Sequence, residues 1–245
     1  MSEANPKAAD AWKTPQKILV ILAHPDDPEF FCGATLARWA KAGHAITYFL
    51  LTCGDKGFED PKALPEEICG IRHREQHAAA KVIGVKSIRF LDLPDGVLVP
   101  TLDLRREVVR AIRQEKPDIL VTCDPTRLFV ADRGLNHPDH RCAGQVVLDA
   151  VFPAAGNPHF FPELLNEEAL EPHAPAEVWV SLAEAPNVVL DVTDTWPIKL
   201  RALKKHKSQI GDPQKFEERM RSRRTQASSD DNPRFEESFR VIRFQ

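Results

Sequence analysis

Strands alternating with helices constrain this chain more than any other feature of its sequence. "KILVIL" (Lys17–Leu22), "AITYFLLT" (Ala45–Thr52), "KSIRFLDL" (Lys86–Leu93) and "PDILVTC" (Pro117–Cys123) are apolar runs with β-branched residues, the pattern of strands buried on both faces. Between them, Glu29–Ala42, residues 65–83 and Asp103–Gln114 carry apolar residues at helical spacing, and Gly43 and Gly84 stand where a helix ends in a left-handed residue. Such an alternation predicts a parallel sheet covered by helices on both faces. The expected fold is therefore α/β, a Rossmann-like three-layer α/β/α arrangement with a mainly parallel sheet.

The rest of the chain reads as an elaboration of that unit. A helix is expected over 137–152, then an irregular proline-rich loop with one helical turn over 153–175. Two short strands, "EVWVSL" and "NVVLDV", precede a helix over Thr195–Gln209, a charged tail from Asp212 to Arg234 and a final strand, "SFRVIRF". There is no break in composition and no internal repeat, so residues 17–245 are expected to form one domain behind a flexible lead at 1–16.

Charge and cysteine usage exclude several functions. A net charge of −3 argues against a broad basic face for nucleic acid. No apolar stretch is long enough to span a bilayer, and the N-terminal residues lack the hydrophobic segment of a signal peptide. Cys32, Cys53, Cys69, Cys123 and Cys142 are scattered, odd in number and free of C-x-x-C spacing. That usage predicts reduced thiols and a cytoplasmic protein.

Ligands of such sheets bind beyond the carboxyl ends of the strands. A dinucleotide would need G-x-G-x-x-G at the first strand–helix turn, where this chain has His24, Pro25, Asp26 and Asp27. Carboxylates there repel phosphate, so a dinucleotide cofactor is excluded at that turn. A second cluster, "NHPDH" (Asn136–His140), follows the fourth strand. Taken singly, each cluster is compatible with a solvated turn or a capped helix start. Together on one sheet edge, they point to a metal site. Zinc accepts imidazole nitrogen and carboxylate oxygen, and a catalytic zinc has three protein ligands. A histidine and a carboxylate from the first cluster plus a histidine from the second supply that set. Asp26 is then left beside the reacting water, where a general base must sit within hydrogen-bond reach.

With "AHPDD" (Ala23–Asp27) and "HPDH" (His137–His140) in hand, the chain resembles the N-acetylglucosaminyl-phosphatidylinositol deacetylase (PIG-L), or LmbE-like, family of zinc-dependent amide hydrolases. R-x-x-E at Arg72–Glu75, "LDLPDG" at Leu91–Gly96 and "KLRALKKHKSQ" at Lys199–Gln209 fall in the family's order. The resemblance implies that His24, Asp27 and His140 hold one Zn2+ per chain, with Fe2+ or another divalent ion as substitute. It implies Asp26 as general base and His137 as the group that stabilises the oxyanion or protonates the departing amine. Asp139 would orient His137, and Arg72 would bind the sugar. The implied substrate is a small N-acetylated sugar or sugar conjugate, deacetylated to free amine and acetate by a homo-oligomer, a trimer or hexamer. Two departures are Pro28, which separates the aspartate pair from Glu29, and Ala34 within Gly33-Ala34-Thr35. Rival expectations are an amidase of larger thiol–sugar conjugates, a non-catalytic metal- or carbohydrate-binding relative, and a metallophosphatase with a second ion. His206 is left between a place in the site and a surface role.

Overall fold

A computed structural model describes residues 9–58, 60–130, 134–229 and 231–244 of the chain. The alternating apolar runs become β1 (Lys17–Leu22), β2 (Ala45–Thr52), β3 (Ser87–Leu93) and β4 (Ile119–Cys123). They are linked through α1 (Asp27–Lys41), α2 (Pro65–Ile83) and α3 (Leu102–Glu115). After β4 come α4 (Pro138–Asp149), which runs on as a wider broken turn to Ala155, then α5 (Pro162–Asn166), β5 (Glu177–Ser181) and β6 (Val188–Asp191). The chain then forms α6 (Trp196–Leu203), α7 (Lys207–Ile210), α8 (Pro213–Arg221) and β7 (Glu236–Arg243).

These strands make one seven-stranded sheet in the order β3-β2-β1-β4-β5-β7-β6. β1 to β5 pair in parallel, and β7 pairs antiparallel with both β5 and β6. The expected α/β fold with a mainly parallel sheet is what forms. β1 shows why: Ile18, Val20 and Leu22 enter the core on one face, and Leu19, Ile21 and Ala23 enter the other. A strand that buries both faces leaves no polar side, and each such aliphatic side chain contributes about 1.5–3 kcal/mol on burial. α1, α2 and α6 cover the first face, and α3 and α4 cover the second.

The strand order reverses between β1 and β4, which are neighbours in parallel register from Ile18–Ile119 to Val20–Val121. Chains leave that point in opposite directions and open a crevice beyond the carboxyl ends of the strands. Both histidine–aspartate clusters flank it, one after β1 and one at the start of α4.

Three expectations change. Of the lead expected to be flexible over 1–16, residues 1–8 lie outside the described residues, but Asp10 and Trp12 pack against the domain. Trp12 meets the rings of Trp39 and Trp179 at 5.2 and 5.8 Å, and Asp10 accepts the Trp39 indole N–H at 3.0 Å. The helix expected over Thr195–Gln209 breaks into α6 and α7 at His206 (φ −81°, ψ 60°). The loop over 153–175 holds its one helical turn, α5, as expected. The third change concerns the thiols: Cys53, at the end of β2, is disulfide-bonded to Cys69 in α2, whereas Cys32, Cys123 and Cys142 are free and buried. The crossover from β2 to α2 brings these two residues together across 16 positions, a contact that spacing does not encode. The cysteines therefore no longer argue for a reducing compartment.

Candidate metal centre and active site

β1 ends at Leu22, and His24 to Asp27 turn the chain into α1. Asp26 takes φ 95°, the left-handed region that disfavours a side chain, and Pro28 sits in the first turn of the helix, where its missing N–H is harmless. The turn points His24 and Asp27 inward, both buried, and the His24 amide donates to Asp27 Oδ2 at 2.8 Å. Across the crevice, His137 is the N-cap of α4: its Nδ1 accepts the Asp139 amide at 3.2 Å. His140 lies one turn on. α4 reaches the crevice because Gly144 packs directly on the end of β4; a Cβ there would stand 2.3 Å from the Cys123 carbonyl oxygen.

Three donors converge. His24 Nδ1 lies 3.2 Å from His140 Nε2 and 3.3 Å from Asp27 Oδ2, and His140 Nε2 lies 3.0 Å from Asp27 Oδ1. A tetrahedral cation with ligand bonds of about 2.0–2.1 Å spaces its ligand atoms by about 3.3 Å. The far nitrogens fix the tautomers. His140 Nδ1 is 3.0 Å from Asn136 Oδ1, and His24 Nε2 is 3.4 and 3.1 Å from carboxylate oxygens of Asp139 and Asp95. Those outer partners accept from N–H, so a neutral ring at either position turns its lone pair towards the shared space. Two ring nitrogens and a carboxylate at this separation suit a cation, and His24, Asp27 and His140 form a group that could hold a metal ion.

The charges agree. Burial opposes ionisation of Asp27, but His140 and His24 hold its carboxyl well below the usual range. Burial likewise opposes charge on His24, yet Asp27, Asp139 and Asp95 raise it well above the ordinary histidine value. Burial pushes Asp26 up to about 6, against the pull of the Arg72 guanidinium and with help from Asp27. His137 is lowered by burial and by the positive fields of His24 and His140. A neutral His137 whose Nδ1 accepts a hydrogen bond carries its proton on Nε2, which faces the crevice near Asp95 Oδ1 at 3.7 Å.

All seven residues singled out from the sequence stand at one place. Six of them, His24, Asp26, Asp27, Arg72, His137 and His140, line a cavity of about 310 Å³ with Asp95, Phe30, Phe31, Gly57 and Gln209. Asp139 lies just beneath. Its carboxylate faces His24 and accepts the amides of Gly96 and Leu98 at 2.6 and 3.1 Å, so only its backbone touches the His137 ring. Arg72 is 3 % exposed; its guanidinium donates to the Pro25 carbonyl and lies 3.3 Å from Asp26 Oδ2.

Sequence reasoning missed Asp95, which belongs to a turn on the correct edge and had been given no task. It also missed Asn136, beside His140, and Gln76, which follows the R-x-x-E motif and accepts the Asp26 amide at 2.7 Å. The last motif does reach the site: Ser208 donates to Glu75 and Gln209 to the Gly57 carbonyl, which lies against Arg72.

Residues 19–151 match the model of the GlcNAc-PI de-N-acetylase (PIG-L) family. The diacetylchitobiose deacetylase of Thermococcus kodakarensis is 34% identical over 210 residues, covering 86% of this chain and 76% of that protein. A probable N-acetyl-alpha-D-glucosaminyl L-malate deacetylase 2 of Bacillus anthracis is 27% identical over 206 residues, 81% of this chain and 83% of its own length. Among solved structures, the N,N'-diacetylchitobiose deacetylase from Pyrococcus horikoshii, complexed with an inhibitor, superposes with a TM-score of 0.85 at 28% identity. It covers 99% of this chain and 87% of that one. On its fold, its paired histidine–aspartate clusters and this match, the chain belongs to the PIG-L family of de-N-acetylase enzymes.

Proposed function

We propose that the protein is a zinc-dependent amide hydrolase that removes the acetyl group from an N-acetylglucosamine-type sugar, with N,N'-diacetylchitobiose the first substrate to test. The observation that carries this reading is the convergence of His24 Nδ1, Asp27 and His140 Nε2, flanked by Asp26 and by His137 Nε2. A binding protein would need the three donors but neither flanking group. The similarity to diacetylchitobiose deacetylases in both sequence and structure supports the sugar class.

In this reading His24, Asp27 and His140 hold one Zn2+, and the same donor set accepts Fe2+. Such a cation acts as a Lewis acid on the amide carbonyl and acidifies water. Asp26, near 6, is placed to take the proton of the attacking water. Arg72 keeps the Asp26 carboxylate aimed, consistent with the 3.3 Å contact, and the sugar meets Arg72 and Asp95 at the wall of the cavity. The His137 Nε2–H donates to the developing oxyanion. As the tetrahedral centre collapses, the proton gained by Asp26 or held by His137 passes to the amine nitrogen, the C–N bond breaks, and acetate and free amine leave.

Residues 17–245 act as one LmbE-like deacetylase domain in this reading. A trimer or hexamer is the proposed assembly, which light scattering tests. No described helix is long and apolar enough to cross a membrane. A cytoplasmic location is tested by cell fractionation. The deciding assay is release of acetate and free amine from a panel of N-acetylated glucosamines, with protein loaded with zinc and after chelation. Metal-dependent release supports the reading; a panel without turnover by fully loaded protein overturns it.

A further inference from the structure

We propose that Gln76, Glu29 and His206 form a positioning relay that holds Asp26 in the backbone conformation its work as a base requires. The inference rests on the deacetylase reading and adds to it residues that touch neither substrate nor metal.

Asp26 is an L-residue held at φ 95° and ψ −26°, a conformation that persists only where surrounding contacts over-determine it. Three contacts hold it: the Phe30 amide donates to the Asp26 carbonyl at 2.9 Å, Arg72 lies against the carboxylate, and Gln76 Oε1 accepts the Asp26 N–H at 2.7 Å. Gln76 can offer its oxygen upward only if its NH2 turns the other way, where Glu29 waits: Nε2 lies 3.2 and 3.1 Å from the two Glu29 oxygens. The amide orientation is thus set from below. Glu29 in turn accepts the Tyr48 hydroxyl at 3.2 Å and lies 3.3 Å from His206 Nε2.

Gln76, Glu29, His206 and Tyr48 are all 0 % exposed. They come from α2, α1, the α6–α7 break and β2, so the chain has gathered them from distant places. His206 arrives because the expected long helix breaks there, and among the described residues its Nδ1 makes no hydrogen bond, leaving Glu29 as the partner that places the ring. A buried ion pair often adds no more stability than apolar residues of the same volume. Its presence directly beneath a strained residue of the site points to orientation rather than to stability. The relay also gives Glu29, displaced one place from the aspartate pair by Pro28, a defined task.

The test measures kcat, KM and bound metal for Gln76→Leu, His206→Leu and His206→Gln on whichever acetylated sugar the wild-type enzyme turns over. Gln76→Leu and His206→Leu should lower kcat about 10- to 100-fold, with KM and metal content near wild type. His206→Gln, which restores a donor to Glu29, should recover much of the loss. The proposal is overturned if the folded Leu variants keep kcat within about twofold, if the loss lies in KM or metal content, or if His206→Gln falls as far as His206→Leu. If Gln76→Leu does not fold, the His206 pair decides. If the wild-type enzyme turns over no acetylated sugar, the deacetylase reading fails instead. A crystal structure of His206→Leu then judges the relay: Asp26 released from positive φ supports it, and Asp26 unmoved overturns it.

Discussion

Lys199 and Glu237 form a buried ion pair, Nζ to Oε1 2.6 Å, that closes both sides of a break in α1. The helix is interrupted at Cys32 (φ −146°, ψ 25°). Lys199 donates to the Phe30 carbonyl at 2.9 Å, and Glu237 accepts the amides of Ala34 and Thr35 at 3.2 and 2.7 Å. A lysine on α6 and a glutamate on β7 thus satisfy backbone groups that the helix itself cannot. Removing one partner leaves a buried, unpaired charge, so Lys199→Met should cost about 3–5 kcal/mol in urea denaturation. Lys199→Met combined with Glu237→Gln should recover part of it. A loss under about 1 kcal/mol for the single variant would show that the pair does not brace the break.

The metal set predicts a separable stoichiometry. His140→Ala removes one of three donors, and the purified variant should hold well under one zinc per chain after dialysis. Elemental analysis that finds the wild-type content would take His140 out of the set.

Asp26→Asn should do the reverse. The donor set is untouched, so zinc content stays, while the turnover number falls by about two to four orders of magnitude, the usual worth of a positioned base. Turnover equal to wild type would remove Asp26 from the chemistry.

Gly144→Ala tests how α4 is placed. The new Cβ would meet the Cys123 carbonyl oxygen at 2.3 Å and the Pro125 nitrogen at 2.9 Å, both backbone atoms that cannot swing aside. Overpacking of this kind costs about 1–3 kcal/mol. Because His140 is one turn away, zinc affinity should fall with stability, measured by competition with a chromophoric chelator. Unchanged affinity would mean that α4 can shift without moving His140.

His206 predicts a pH dependence of stability. Burial opposes charge on its ring, but the Glu29 hydrogen bond and charge raise its pKa above the ordinary value. A histidine raised on folding contributes stability that is full below its unfolded pKa of about 6.5 and is lost as pH climbs through the higher folded value. The stability difference between wild type and His206→Gln should therefore be largest near pH 6 and shrink in alkaline buffer, by urea melts at each pH. A difference independent of pH would show that the ring is not charged in the fold.

Much of this was legible without coordinates. The apolar run of β1 and the helical spacing of α1 repeat at short range, so burial writes them into neighbouring residues. His24, Asp26, Asp27, His137 and His140 were legible because two short motifs hold them at strand ends, the edge where parallel sheets place ligands. Asp139 was legible as a member of the site but not in its direction: which ring its carboxylate faces depends on how α4 meets the β3–α3 loop. Asp95 lay within the LDLPDG motif, but nothing local told its task, and Gln76 carried no local signal, since it sits on an ordinary helix.

The sequence alone determined the strands and helices of the parallel core, the two clusters and the chemistry their residue types allow. Tertiary structure decided that the clusters face each other at the reversal between β1 and β4, that β7 inserts between β5 and β6, and that Cys53 meets Cys69. It also decided that His206 reaches Glu29. The reason is physical: periodic burial is a property of adjacent residues, whereas these contacts join segments far apart in the chain, and only the order of strands in the sheet sets which of them meet.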